Sequence, residues 1–157
     1  MNIQLLVVGK TNQNYLSQGV DEYTQRLKHY VHFELVVISD VKNPKNLSTA
    51  QLKDMEADNI LKHISTEDMV VLFDERGKEF RSMDFAQWLQ KCMLSGTKNL
   101  IFVVGGAFGF SQKIYDRANS KVSLSQMTFS HQMIRLLATE QIYRAFTILA
   151  HEPYHNE

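Results

Sequence analysis

The chain has 157 residues, 44% hydrophobic and 22% charged, with 17 basic side chains against 17 acidic ones. These proportions exclude a solvated, highly charged disordered chain, and at about 150 residues one core can bury roughly 70% of the unfolded surface without staples. Zero net charge counts against a module that grips naked nucleic acid through its phosphates, because such modules carry a basic excess.

In chain order, Ile3-Gln-Leu-Leu-Val-Val8 reads as a buried strand. It is too short for a signal-peptide core, has no basic region ahead of it and runs into Gly9-Lys10-Thr11-Asn12. Tyr15, Leu16, Val20, Tyr23, Leu27 and Tyr30 then fall at helical spacing. Phe33 to Ile38 is strand-like, and Asn43-Pro-Lys-Asn46 forms a polar loop. Ser48 or Thr49 caps a helix with Leu52, Met55, Ile60, Leu61 and Ile64 as its stripe. Met69 to Phe73 is a third strand, after which Asp74-Glu-Arg-Gly-Lys78 reads as a turn. Ser82 is the expected cap of a helix burying Phe85, Trp88, Leu89 and Met93, closed by Ser95-Gly96. Cys92 within it is the one cysteine, so no internal disulfide can form, which fits a reducing compartment.

Leu100 to Val104 is the most apolar strand and so the expected centre of the sheet. The apolar stretch that continues to Phe110 is broken by glycines and falls short of the about 20 residues of a membrane span. A short helix near Ser111–Asn119, a short strand near Val122–Leu124 and a long helix over roughly His131–Ala150 complete the pattern. With no linker or repeat, alternating strands and helices predict one α/β domain over residues 1–157. Its sheet is mostly parallel, with helices on both faces, and its setting is the cytoplasm. The last helix is apolar over a wide arc, with Leu136, Leu137, Ile142, Tyr143, Phe146 and Ile148 on more than one face, which predicts a homodimer.

Ligands of such sheets sit beyond the C-terminal strand ends, here the loops after Val8, Phe73, Val104 and Leu124. Gly105-Gly-Ala-Phe-Gly109 directly follows the central strand, where glycines let backbone amides approach a ligand. It lacks the spacing of a dinucleotide fingerprint and of a phosphate-loop NTPase; a tight strand-to-helix turn is its plainer reading. Leu124-Ser-Gln-Met-Thr-Phe-Ser-His131 mixes apolar walls with hydroxyls that could ring an adenine or simply cap backbone amides. His131 and Arg135, like Glu140 and Arg144, stand one helical turn apart, the spacing of surface charge pairs. His151-Glu-Pro-Tyr-His155 spells the zinc-protease pattern, but Pro153 suits no helix interior and no downstream ligand follows, so no metal is expected.

Together, Leu100-Ile-Phe-Val-Val-Gly-Gly-Ala-Phe-Gly109, Leu124–His131, Glu140-Gln-Ile-Tyr-Arg-Ala-Phe146 and Pro153-Tyr-His155, in this order and spacing, resemble the RlmH family of the SPOUT superfamily. The resemblance spans the whole chain. It implies a C-terminal trefoil knot, a homodimer, and transfer of a methyl group from S-adenosylmethionine to N3 of a pseudouridine in 23S rRNA on the assembled ribosome. It also implies cofactor contacts at Phe73, Gly105, Leu124, Ser125, Gln126, Met127, Thr128 and Phe129. Phe73 stands where leucine is more usual in the family, and Ser130 replaces a proline. Transfer to an N–H nitrogen needs a proton acceptor, for which His131, Tyr154 and His155 are the candidates. Arg135 and Arg144, with Tyr154 and His155, are the residues expected to hold the RNA. A zinc hydrolase or a non-catalytic RNA-binding module are the alternatives.

Overall fold

The computed structural model describes residues 1–156. Five strands, β1 (Asn2–Val8), β2 (His32–Ile38), β3 (Met69–Glu79), β4 (Asn99–Val104) and β5 (Ser120–Ser123), form one sheet in the order β2-β1-β4-β3-β5. Every pairing is parallel. The helices are α1 (Asn14–Leu27), α2 (Thr49–Leu61), α3 (Ser82–Leu94), α4 (Gln112–Arg117) and α5 (His131–Leu149), with a 3-10 turn at Pro44–Asn46.

β4 is central as its composition predicts: Leu5 and Val71 both stand opposite Phe102, and Val7 and Phe73 both stand opposite Val104. Side chains alternate across the sheet, so two cores form. Leu5, Val7, Val71, Phe73, Phe102 and Val104 pack with Leu27, Phe85, Leu89, Ile142 and Phe146 of α1, α3 and α5. On the other face Leu6, Val8, Val70, Leu72, Ile101 and Val103 meet Ala57 and Ile60 of α2 and Ile114 of α4. Helices cover both faces because strands buried on both sides leave no surface for water. No helix among the described residues is long and apolar enough to cross a membrane.

Three local expectations change. β3 does not turn away after Phe73 but continues to Glu79: its register jumps so that Phe73 and Lys78 both face Val122 of β5, looping residues 74–77 outward. Gly77 makes this possible, since a Cβ there would lie 2.6 Å from the Lys121 carbonyl carbon and 2.7 Å from the Val122 nitrogen. Ser82 does not cap α3; the cap position is Arg81, and the Ser82 hydroxyl donates to Gln141 Oε1 at 3.0 Å, tying α3 to α5. α1 ends at Leu27, so Tyr30 lies beyond it, its ring stacked on Phe146. Ser48, by contrast, does cap α2 through a reciprocal box with Gln51.

Candidate active site

The C-terminal ends of β3, β4 and β5 open into a cavity of about 640 Å³. Phe73 and Val104 form its floor, Gly105 and Gly106 one wall, and Leu124, Phe129 and Ile134 another. That volume and its mixture of apolar walls with a few polar groups are those of a small-molecule site. The loop after Val104 is pinched by a bridge between Gly106 and Gly109, whose φ of 82° is left-handed, and it holds Phe108 out at the lip. Phe108 and Met127 are 56% and 76% exposed, so the lip is an apolar surface with no cover from the chain itself.

The opposite wall, residues 124–130, is irregular yet fastened at every step. Ser123 Oγ donates to the Ser125 carbonyl at 2.8 Å, and Ser125 Oγ accepts from the Met127 amide at 2.9 Å. Gln126 donates to Glu79 at 2.6 Å, and Thr128 donates to Glu75 at 2.7 Å. Ser130 then caps α5, accepting from the Met133 amide at 3.1 Å. Ser125 and Ser130 therefore do cap backbone amides, as their plainer reading had it, whereas Thr128 binds a carboxylate instead, and together they shape a cavity wall. Both glutamates come from the looped continuation of β3. The sequence reading missed Glu75, Glu79 and Gly77, because a polar segment whose contacts are side-chain hydrogen bonds leaves no periodic pattern.

Of the eight residues anticipated around the cofactor, Phe73, Gly105, Leu124, Ser125, Met127, Thr128 and Phe129 line the cavity. Gln126 faces outward to Glu79 instead. An adenosine-sized group suits this site: the apolar floor and walls offer faces for a flat ring, and the side-chain-free Gly105 leaves room along the backbone. His131 also lines the cavity, at the first turn of α5. Burial, then the nearby Arg135 charge, hold its imidazole below the usual histidine range, opposed by Asp40.

Arg135 is corrected. It has no exposed surface; its guanidinium donates to the Val8 carbonyl at 2.6 Å, the Gly9 carbonyl at 2.8 Å and Thr11 Oγ1 at 3.1 Å. Gln132 adds two bonds to the same segment, accepting from the Asn12 amide at 2.9 Å and donating to the Lys10 carbonyl at 3.1 Å. The loop after Val8 is thus pinned to α5 and lines no part of the cavity. A side chain with no exposed surface, its guanidinium turned to Val8, Gly9 and Thr11, does not meet RNA phosphates.

The tail forms a separate cluster. The chain leaves the helix at Leu149, and His151 adopts a left-handed φ of 57°, so the letters of the zinc pattern never share a helical face. Glu152 accepts from Tyr30 at 2.6 Å, and no group of three metal-binding side chains occurs among the described residues. Tyr154 folds back along α5: its hydroxyl donates to Glu140 at 2.9 Å and its ring packs edge-on to Tyr143 at 4.8 Å. Arg144 pairs with Glu140 at 2.5 Å, lies over the Tyr154 ring at 4.7 Å and approaches His155 Nδ1 at 3.1 Å. Burial first, then hydrogen bonding to Tyr23 and Glu140, push the Tyr154 phenol well above its ordinary range, so it stays protonated. Glu140 lies nine residues beyond His131 on α5. That is about 13 Å along the axis and roughly half a turn round it, so one copy of the chain does not bring its tail to its own cavity.

Comparison with known proteins gives the family. A family model described as "Predicted SPOUT methyltransferase" matches residues 1–155. Proteins named Ribosomal RNA large subunit methyltransferase H from Parabacteroides distasonis and Flavobacterium johnsoniae are 55% and 53% identical to the chain over 157 residues, covering 100% of both partners. The Bacteroides fragilis protein of that name is 48% identical over the same 157 residues. A solved structure, a probable methylase family protein from Haemophilus influenzae, shares the fold at a TM-score of 0.54 and 13% identity, covering 99% of this chain and 71% of that one.

Proposed function

The chain belongs to the SPOUT methyltransferase family, and from that premise we propose that it methylates large-subunit ribosomal RNA. In this reading the donor is S-adenosylmethionine, the acceptor is N3 of a pseudouridine in 23S rRNA on the assembled ribosome, and the protein works as a cytoplasmic homodimer. Residues 1–157 form one domain with a C-terminal trefoil knot. The observation that carries the reading is the cavity at the ends of β3, β4 and β5, with its far wall held by Glu75 and Glu79.

Phe73, Gly105 and Leu124–Phe129 would hold the cofactor, Gln126 by fixing the loop through Glu79. When bound, S-adenosylmethionine supplies an electrophilic methyl group. The chain's own task is to align the acceptor nitrogen and take its proton. His131 suits the second role best of the three candidates: it lines the cavity, and its depressed pKa keeps it neutral and able to accept a proton at neutral pH. Tyr154 is a neutral phenol whose one proton goes to Glu140, so it suits fixing Glu140 and Arg144 in place beside the base. With Arg144 and His155 it lies beyond reach of the cavity in its own copy, so a second copy must bring the tail to the substrate. The apolar lip at Phe108 and Met127 supports the same pairing.

Titration with S-adenosylhomocysteine, with the oligomeric state measured in the same buffer, is the direct test. Saturable binding by a dimer and methyl transfer to ribosomes lacking the modification are expected. A folded protein that binds no adenosyl ligand either alone or with ribosomes ends this reading.

A further inference from the structure

A second groove of about 390 Å³ adjoins the cavity and shares Arg76, Gln112 and Tyr115 with it. Its remaining wall comes from Ala118, Asn119, Ser120 and Lys121, leading into the edge strand β5. No carboxylate lines it. The two cations that do, Arg76 and Lys121, are exposed, and neither forms an ion pair among the described residues.

The neighbouring acids keep their charge but are held by hydrogen bonds to other groups rather than by these two cations. Asp74 accepts from the Tyr115 hydroxyl and from the Arg76 amide at 2.8 Å. Glu75 and Glu79 hold the cavity wall through Thr128 and Gln126, and Asp116 accepts from Gln112 at 2.8 Å. Tyr115 separates the cations: the Lys121 ammonium lies 5.4 Å from its ring centre, and the Arg76 charge acts on its phenol. The looped segment of β3 creates this arrangement, because the close approach of Gly77 to the Lys121 and Val122 backbone sets Arg76 beside Lys121. A chain with no net charge thus sets two exposed cations, neither of them in an ion pair among the described residues, in a groove that opens into its ligand cavity.

We propose that this groove binds the RNA phosphodiester backbone next to the target nucleotide, with Arg76 and Lys121 as the phosphate contacts. The inference rests on the RNA methyltransferase reading and extends it to how the substrate strand is held. Phosphate contacts position a nucleic acid without reading its sequence, so the groove fixes where the target base enters the cavity. Arg76 offers a planar fork to the phosphate oxygens and Lys121 a point charge.

The test is the double variant Arg76→Gln/Lys121→Gln, assayed for ribosome binding across a salt series and for methylation kinetics. Each lost phosphate contact reduces the slope of log affinity against log salt by roughly 0.7 to 0.9, so the double variant loses about 1.4 to 1.8 from that slope. At about 0.15 M salt the KM for ribosomes rises about tenfold or more. The loss falls on KM rather than kcat, and Arg76→Lys/Lys121→Arg restores most of it. S-adenosylhomocysteine titration and thermal melting of Lys121→Gln, whose side chain is outside the cavity, report whether the fold survives. A folded double variant with wild-type salt slope and KM overturns the proposal. If the wild-type protein binds ribosomes but no adenosyl ligand, the methyltransferase reading falls while the salt slope still decides the groove.

Discussion

Replacing Arg135 by methionine removes a buried cation while keeping a long, flexible side chain of similar reach. In the folded protein that cation donates to two carbonyls at the end of β1 and to Thr11, and its Nε has no hydrogen-bond partner among the described residues. Hydrogen bonds from a charged donor contribute about 1.5 to 3 kcal/mol each, and a buried acceptor left without a donor costs about 1 to 3 kcal/mol. Against this, methionine relieves the guanidinium's desolvation, and swapping a buried ionic group for a well-packed apolar one is often close to neutral. The carbonyls decide the sign, because methionine offers them nothing. A net loss of about 2 to 4 kcal/mol follows, which for a domain of this size lowers Tm by about 5 to 15 °C. Arg135→Lys falls between, since one ammonium cannot reproduce a fork that spans Val8, Gly9 and Thr11. Thermal and urea unfolding measure both. An Arg135→Met protein melting within about 2 °C of wild type would show that the clamp contributes nothing to the join between β1 and α5.

Gly77→Ala places a methyl group 2.6 to 2.8 Å from the backbone of β5, where only strand displacement can relieve the clash. Overpacking of this kind costs about 1 to 3 kcal/mol. Because the shift moves Glu75 and Glu79 away from Thr128 and Gln126, S-adenosylhomocysteine affinity falls together with Tm; unchanged affinity would separate the β3 loop from the cavity wall. His131 has a folded pKa below its unfolded value, so the neutral form is favoured by folding and the associated stability is full above the ordinary histidine pKa. It is lost as pH falls through the depressed folded value. Tm of the wild type accordingly drops more than that of His131→Gln as pH is lowered from 7.5 toward 5 (roughly, around the reference pKa); parallel curves contradict the assignment. Ser130→Ala removes the cap of α5 and destabilises by about 0.5 to 2 kcal/mol, whereas Ser130→Pro suits the observed φ of −60° and recovers part of that loss. An Ser130→Pro protein less stable than Ser130→Ala would refute this account of the cap. Removing residues 154–157 abolishes methylation while cofactor binding persists, as checked by titration; methylation at the wild-type rate excludes the tail from catalysis.

The parts legible in the sequence are those where burial alone decides. β1 and β4 are covered on both faces, so they appear as unbroken apolar runs, and the central place of β4 follows from the same property. The cavity wall was readable as a motif because its residues fall in one short stretch, Leu124, Ser125 and Met127 to Phe129. Polar geometry was not readable. Ser82 sits at the start of a helix and looks like a cap, but its hydroxyl is drawn to Gln141 on a helix 59 residues away in the chain. Arg135 shares its spacing from His131 with ordinary surface pairs, and only the arrival of the β1 terminus beneath α5 makes it a core residue. Nothing local distinguishes the two cases.

The same distinction bears on Arg144. It stands nine residues after Arg135, so the two project from opposite sides of α5. Arg135 points into the sheet and meets carbonyls that need donors, which makes it part of the fold. Arg144 points the other way and is held half-buried by Glu140, with the Tyr154 ring against its guanidinium and His155 Nδ1 at hydrogen-bond distance. A cluster of two aromatic rings, a cation and an imidazole does little for a helix that is already packed by Ile142, Ala145 and Phe146. It does present donors on a fixed scaffold, facing away from the cavity of its own chain. The proposed homodimer gives both features one use, with the tail of each copy set against the open lip of the other. On that proposal each site needs two chains: the cofactor wall from one, and the groups that grip and orient the base from its partner.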